Sequence, residues 1–363
     1  MNTFTLRRWT VEEWFRNEIA WNNLLARSNA DALFLSWDWL THWWQCYGVK
    51  LGRAPEILAF YHGDNLVGLA PLYRRLVMRG GLVLTRSVQV IGLSWRDPEP
   101  LISEYLDVIA SPGDLGAVRH ACLQILLDEP AWTEVVIGFT AAGEQWRDAF
   151  TGRAPLRWHY VRQLDRSVSY QADLSRGFVA YLRDLGQSTR RSVWNLRRRL
   201  TAHNKVSLEF LAEGAIDGGF SDLNRLHQLR WNKPAFTGKR LVFHTSLARR
   251  LATRGELAFS RLRIGGEVVS VLYDIRKGPR QYNIKMGFDP AFSNRVSLGL
   301  LHLGYAMEAA AEQRVAVYDF LAGPGQRGDY KRNLSQTHRD LSCVQMLRGR
   351  LLPSLYRWRD RAR

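Results

Sequence analysis

The feature that most limits how this chain can fold is a pattern that occurs twice, once in each half. Glu56-Ile57-Leu58-Ala59-Phe60-Tyr61 leads through His62-Gly63-Asp64-Asn65 into a second apolar run from Leu66 to Tyr73. Glu256-Leu257-Ala258-Phe259-Ser260-Arg261-Leu262 leads through Gly265-Gly266 into Glu267 to Tyr273. Apolar strand, glycine-containing turn and second apolar strand together are the signature of a hairpin. The order of elements around each hairpin is also alike, with amphipathic helical stretches before it and a strand, helix and strand after it. That repetition predicts a duplicated α/β unit, and 363 residues suffice for two such domains.

In the first unit the apolar periodicity predicts helices over Val11 to Leu25 and Ser36 to Tyr47, with Ser36 as N-cap. Strand, helix and strand are expected over Glu104–Ala110, Leu115–Leu127 and Thr133–Gly138. In the second unit, helices are expected over Leu174–His203 and Phe220–Trp231, a strand over Gln281–Gly287, a helix over Ser297–Gln313 and a strand over Val315–Phe320. Between Gly152 and Ser169 the chain turns polar, which places a junction near Asp165 and gives domains 1–165 and 166–345 with a basic tail over 346–363.

Hydrophobic residues make up 46% and charged residues 23%, the balance of a globular chain. The first residues carry charge where a secretory signal needs an apolar run, and no stretch reaches the length of a membrane span, so a cytoplasmic protein is expected. Cys46, Cys122 and Cys343 are odd in number and far apart, and His42 and His302 lack partners at ligand spacing; reduced core thiols and no metal site are expected. The net charge of +17 favours anionic ligands without naming one.

Several constellations have the makings of chemistry. Tyr282 to Pro290 ends a strand and Asn294 to Gly299 opens a helix, whose free N–H groups and dipole suit a pyrophosphate. Arg295, Ser297, Leu298 and Gly299 are the candidate residues there, although a capped helix with a packing glycine explains the same pattern. The strand Val315–Phe320 empties into a glycine-rich loop leading to Tyr330 and Lys331, so Asp319, Tyr330 and Lys331 lie where ligands of α/β folds gather. Asp319 alternatively caps the turn or pairs with Lys331, and Asp289 is a rival carboxylate at a strand end. Arg190 and Arg191 head the densest basic patch, Trp231 stands one turn from His227, and Tyr282 faces the same strand end; these four are candidate substrate contacts. The tail Leu347–Arg363 mixes leucines with arginines, as a helix lying on an anionic membrane would.

Arg230-Trp231, Gly287-Phe288-Asp289-Pro290, Ser297-Leu298-Gly299, Asp319-Phe320-Leu321-Ala322-Gly323 and Tyr330-Lys331 arrive in an order that resembles the GNAT-type acyltransferases associated with bacterial cellulose and exopolysaccharide synthesis, the CelD/BcsL family. Trp37-Asp38-Trp39-Leu40-Thr41-His42-Trp43-Trp44 and Val67-Gly68-Leu69-Ala70-Pro71-Leu72 extend the resemblance into the first half. It implies tandem GNAT-like α/β (α+β) domains, each a mixed, mostly antiparallel sheet flanked by helices, related in fold to FemABX peptidyltransferases. It further implies an acyltransferase that takes acetyl-CoA or another acyl-CoA and acylates an amine or hydroxyl of a sugar or cell-envelope precursor. On that reading Asp319 or Asp289 serves as base, Tyr330 as acid to the thiolate, Arg295, Ser297, Leu298, Gly299 and Lys331 hold the cofactor's phosphates, and Arg190 and Arg191 hold an anionic acceptor. The family's phosphate loop would begin at Arg295, and its two glycine positions here hold Leu298 and Leu300. Two alternatives stand beside this reading: a FemABX-like transferase using aminoacyl-tRNA, and a GNAT-shaped binding protein without turnover. The expected partners are an anionic small molecule or glycan precursor and an anionic membrane surface at the inner face, with nucleic acid only as tRNA in the first alternative.

Overall fold

The computed structural model describes residues 4–49, 53–79, 83–94, 99–129, 132–152, 159–292, 296–322 and 329–361. Two compact units emerge, one of Met1–Ser167 with Asp340–Arg363 and one of Val168–Arg339.

The first unit begins β1 (Thr5–Trp9), α1 (Val11–Arg16), α2 (Glu18–Ala26) and α3 (Trp37–Trp43), the last continuing as a π-helical turn over Trp44–Gly48. Ser36 caps α3 as expected, its hydroxyl accepting from Trp39 N–H. Then come β2 (Ala54–His62), β3 (Asn65–Arg79), β4 (Val83–Val90), β5 (Ile109–Ala110), α4 (Leu115–Asp128), β6 (Glu134–Thr140) and α5 (Gly143–Thr151). The strand expected over Glu104–Ala110 is reduced to the two residues of β5, which pair with β3. Trp14, Trp21, Trp39, Trp43 and Trp44 are all fully buried and fill this unit's core. Burial suits an indole best when its N–H finds a partner; Trp21 donates to Leu35 O at 2.9 Å and Trp39 to Ser103 Oγ at 2.8 Å.

A strand no periodicity announced, β7 (His159–Asp173), occupies the stretch where the junction was expected. The second unit continues with α6 (Phe178–Asp184), α7 (Gln187–Arg190), a π-helical turn over Arg191–Asn195, α8 (Leu196–His203), β8 (Val206–Phe210), α9 (Ile216–Trp231), α10 (Gly238–Ala252), β9 (Leu257–Ile264), β10 (Glu267–Lys277), β11 (Arg280–Phe288), α11 (Leu298–Glu312), β12 (Val317–Asp319) and α12 (Asp329–Asn333). The single helix expected over Leu174–His203 is broken at Leu185–Gly186, and α10 was not foreseen. The chain then forms β13 (Thr337–Arg348) and α13 (Leu351–Arg361). This last segment is no free tail: β13 pairs antiparallel with β6 from Ser342 to Leu347.

The sheet of the first unit runs β1-β2-β3-β4-β6-β13, and that of the second β7-β12-β11-β10-β9-β8. Both are mixed and mostly antiparallel, flanked by helices, with one parallel step each, β4 to β6 and β11 to β12. The two foreseen hairpins are β2–β3 and β9–β10. Their turns depend on glycine, since Gly63, Gly265 and Gly266 have φ of 59°, 62° and 91°, in the region side chains disfavour. All three cysteines are buried and none forms a disulfide among the described residues. Among the described residues no helix is long and apolar enough to cross a membrane, and no cluster could hold a metal ion.

Candidate functional site

Two irregularities of β11 define the site. The strand runs from Arg280 to Phe288, yet only Arg280, Gln281 and Tyr282 pair with β12, opposite Val317, Tyr318 and Asp319. Beyond Tyr282 the two strands part, and among the described residues that edge of β11 has no ladder partner from Asn283 onward, an arrangement that suits an extended ligand. Within that stretch the pairing with β10 slips: Tyr273 stands opposite Lys285 and Asp274 opposite Asn283, so Ile284 has no counterpart. A bulge of this kind re-aims the side chains on either side of it.

Lys285 lies immediately after the bulge. It is partly buried, and its ammonium is made less basic by burial first and then by Arg240, Lys233 and Lys331. No carboxylate lies within ion-pair distance of it among the described residues. Desolvating an ammonium among like charges is costly unless an anion joins it. The surrounding cations come from three places: Lys233 follows α9, Arg240 is in the first turn of α10, and Lys331 lies on α12. Arg230, at the end of α9, stacks over the rings of Trp231 and Phe288 at 4.8 and 4.2 Å. Helix α9 reaches this position because Gly287 lets it approach, a Cβ there falling 3.0 Å from Leu223 O.

Aromatic groups back this cluster. Tyr273, opposite Lys285, is fully buried among Phe220, Phe236, His244 and Phe259, and its hydroxyl has no partner among the described residues. Burial, aided by Arg240 and Lys285, drives His244 down to about 3, so it is neutral. His227, whose Nδ1 lies 2.7 Å from Lys233 O, is lowered by burial, with Lys285 adding to the shift. Tyr330 is raised by burial despite the opposing pull of Arg230, and therefore keeps its proton at neutral pH.

On the Asn283 side of the bulge sits Asp274. Its carboxylate accepts from Gln281 at 2.8 Å, Asn283 at 2.7 Å and the Tyr318 hydroxyl. Burial raises it to about 6 although all three bonds pull the other way. Helix α11 is tied to the same strands by His302, which bridges Ser260 Oγ at 3.0 Å and Ser270 Oγ at 2.9 Å and is pushed by burial down to about 3.

The residues singled out from sequence fall into separate groups. Tyr330 and Trp231 are beside the cluster, Trp231 exposed. Lys331 is there too, but its ammonium donates to Leu321 O and Ala322 O at 2.7 and 3.1 Å, bracing the end of β12. Asp319 is fully buried and receives Ser169 Oγ, Gln171 Nε2 and Leu321 N–H, all at 2.9 Å, with Arg280 at 3.3 Å. Four donors around one carboxylate leave little of it for proton transfer, so its geometry is that of a turn-capping group. Asp289 accepts from Ala291 N–H at 2.8 Å in a tight turn. Tyr282 is buried within β11, and Leu298 within an apolar cluster with Leu200, Leu262 and Leu301. Gly299 makes room for Phe288, whose ring would lie 2.7 Å from a Cβ. Ser297 makes no side-chain cap to α11, so the N–H groups of that helix start are left without it. Arg190 donates to Leu185 O at 3.2 Å and Arg191 is exposed on the π-helical turn, apart from Lys285's neighbours. Arg295 lies outside the described residues.

A hollow of about 550 Å³ lies in the first unit, lined by Arg147, His159, Tyr160, Arg162, Arg357 and Asp360 among others. Its one carboxylate is already engaged, Asp360 taking Arg162 and Tyr160 at 3.0 Å, and Arg357 donates to His159 O at 2.6 Å. Chemistry therefore points to the β11 cluster.

Residues 187–332, which carry that cluster, match the family model described as an acetyltransferase (GNAT) domain. That match spans most of the second unit and marks its likeness to GNAT-type acetyltransferase domains. No curated protein matches the chain. Among solved structures it is similar to FemX, with a TM-score of 0.62 at 10% identity, covering 98% of this chain and 99% of that one. A conserved protein of unknown function from Bacteroides thetaiotaomicron gives 0.56 at 12% identity over 96% and 100%. The C-terminal domain of a putative lysylphosphatidylglycerol synthetase from Agrobacterium fabrum gives 0.51 at 10% over 96% of each. At such identities the likeness is one of fold.

Proposed function

We propose that the chain transfers an acyl group from acyl-CoA to the amine or hydroxyl of an anionic acceptor, a sugar or cell-envelope precursor of the kind the CelD/BcsL resemblance implies. The observation that carries this reading is the convergence of Lys233, Arg240 and Lys331 on Lys285, without a carboxylate, beside the open edge of β11. The thioester arm of the donor is extended and rich in amides, which suits the unpaired N–H and C=O groups past Tyr282. The start of α11, which the Ser297 side chain does not cap, is where its phosphates would sit.

The acceptor's lone pair attacks the thioester carbonyl carbon, the carbonyl electrons move onto oxygen, and collapse expels the thiolate. Lys285 and the main-chain N–H groups at the bulge are aimed to stabilise the oxygen's charge, while Tyr330, kept protonated by burial, supplies the thiolate's proton. Asp274, held near 6 and bonded to Tyr318, is the carboxylate best poised to accept the acceptor's proton through that phenol. Asp319 and Lys331 then hold the end of β12 in place, and Arg230 and Trp231 form the acceptor wall.

Thermal shift tests the donor: acetyl-CoA, a longer acyl-CoA and free CoA should each raise the melting temperature, and no shift with any of them overturns the proposal. The full-length likeness to FemX favours aminoacyl-tRNA as the alternative donor. Stabilisation by aminoacyl-tRNA without any by CoA would establish that reading instead.

A further inference from the structure

Helix α13 breaks the usual rule for a helix on a globular surface, that the outward stripe is polar. Its inner side is formed by buried Leu352 and Pro353 and by Tyr356, which stacks under Arg162 at 4.4 Å. Its outer stripe is Leu351, Leu355 and Trp358, spaced by four and three residues, with Trp358 75% exposed and Leu351 61%. Arg350, Arg359 and Arg361 stand beside the stripe, Arg359 also 3.6 Å from Asp360, while Arg357 turns inward to His159 O; the one acid of the helix, Asp360, is engaged by Arg162 and Tyr160.

A second apolar patch lies at the same end of this unit's sheet. On the β3–β4 hairpin, Met78 pairs with Leu84 and Leu76 with Arg86. All four are exposed, while the alternate residues Val77, Arg79, Thr85 and Ser87 are buried. Glu134 ties the two patches together, because it stands opposite Ser87 of β4 on one side and opposite Leu347 of β13 on the other. The chain leaves β13 at that point, turns at Gly349 and enters α13.

We infer that α13 and the β3–β4 hairpin form a docking surface for an anionic lipid bilayer. Leucine, methionine and tryptophan set among arginines are the chemistry of the headgroup boundary, where apolar side chains enter the acyl region and the guanidinium groups meet lipid phosphates. The net charge of +17 adds long-range attraction. The inference stands independently of the acyl-transfer reading, since every residue it uses is in the first unit.

Flotation of the full chain with vesicles tests it. Binding should appear with phosphatidylcholine–phosphatidylglycerol vesicles, be weak with phosphatidylcholine alone, and fall as salt is raised. The double variant Leu355→Ser, Trp358→Ser keeps every charge and alters exposed positions only. It should bind about tenfold or more weakly at an unchanged melting temperature, and Met78→Ser should lose several-fold. Absence of binding to anionic vesicles overturns the proposal. Full binding by the double variant does so as well, because bulk charge would then suffice. A vesicle-free dimer that the double variant dissolves, seen by sedimentation, would overturn it in favour of a second copy as occupant.

Discussion

The two units share a plan but differ at one strand. In the first, β4 meets its parallel neighbour β6 through Ser87, Val88 and Gln89 and ends one residue later, at Val90. In the second, β11 meets β12 through Arg280, Gln281 and Tyr282 and then continues to Phe288 paired only on its β10 side among the described residues. The β3–β4 ladder is continuous from Leu72 to Arg79, whereas the β10–β11 ladder slips at Tyr273/Asp274. Moving three parallel pairs from the end of a strand to its beginning thus shifts the stretch without a parallel partner, among the described residues, from the start of β4 to the end of β11, where the bulge also lies. Charge follows the same division. Near the paired end of the first unit Arg79 is bound to Glu134, and Arg74 to Glu56 and Glu129. At the open edge of the second, burial and then Arg240, Lys233 and Lys331 make Lys285 less basic, with no carboxylate at ion-pair distance among the described residues.

The sharpest way to break this comparison is to remove charge from each unit in turn. Lys285→Met should lower kcat/KM for acyl transfer by about 10²- to 10³-fold, the range for one donor aimed at a developing oxyanion. Arg147→Met, exposed on α5 of the first unit, should leave it unchanged. Equal losses in both would mean that overall charge, not the cluster, serves the reaction.

That cluster also marks where sequence reasoning stopped. The hairpins were legible because strand periodicity and turn glycines are local, and so were Ser36 as a cap and α11 as a helix. Lys285 was visible only as one letter of Tyr282–Pro290, since its meaning comes from Lys233 and Arg240 around a helix, α10, that was not foreseen. The signal for α10 was present, Phe243, His244, Leu247, Ala248 and Leu251 recurring at helical spacing. Strand β7 was hidden for a physical reason: it is mostly half-exposed and carries Arg162, Asp165 and Arg166, so its alternation is blurred. Asp319 looked catalytic from its position at a strand end; its four donors come from Ser169, Gln171, Arg280 and Leu321, a set no spacing reveals.

Next in size is a pH effect peculiar to the second unit. Asp274 has a folded value of about 6 against an ordinary 3.8. The folded chain therefore holds that proton more tightly, so the stabilisation is complete below about 3.8 and is lost as pH rises through about 6. Asp274→Asn removes the titration. In urea melts, its stability relative to the parent should improve by about 2 kcal/mol from pH 4 to pH 6. A difference that stays flat would show the carboxyl to be unperturbed. His302 and His244, both near 3, act in the opposite direction but are common to the two proteins and cancel.

Packing distinguishes the units more mildly. A Cβ on Gly304 of α11 would lie 2.2 Å from Val193 O, and one on Gly68 of β3 would lie 2.6 Å from a Val118 methyl. The carbonyl belongs to a backbone held by its own helix, while the methyl moves with one torsion. Gly304→Ala should therefore cost about 2 kcal/mol and Gly68→Ala about 1 kcal/mol. The reverse order would show that the α11 contact yields more readily than the β3–α4 contact.

The smallest effect tests whether the first unit has been left unoptimised where no function presses on it. Gly116 lies in the first turn of α4, in helical conformation, and a methyl group added to its Cα would meet nothing within 4 Å among the described residues. Glycine there gives up more backbone freedom on folding than alanine would, and no close approach rewards it. Gly116→Ala should raise stability by about 0.5 kcal/mol, read as a shift in urea midpoint at constant slope. A loss would mean that something meets α4 at that point, and the outer side of this helix would then be a contact surface.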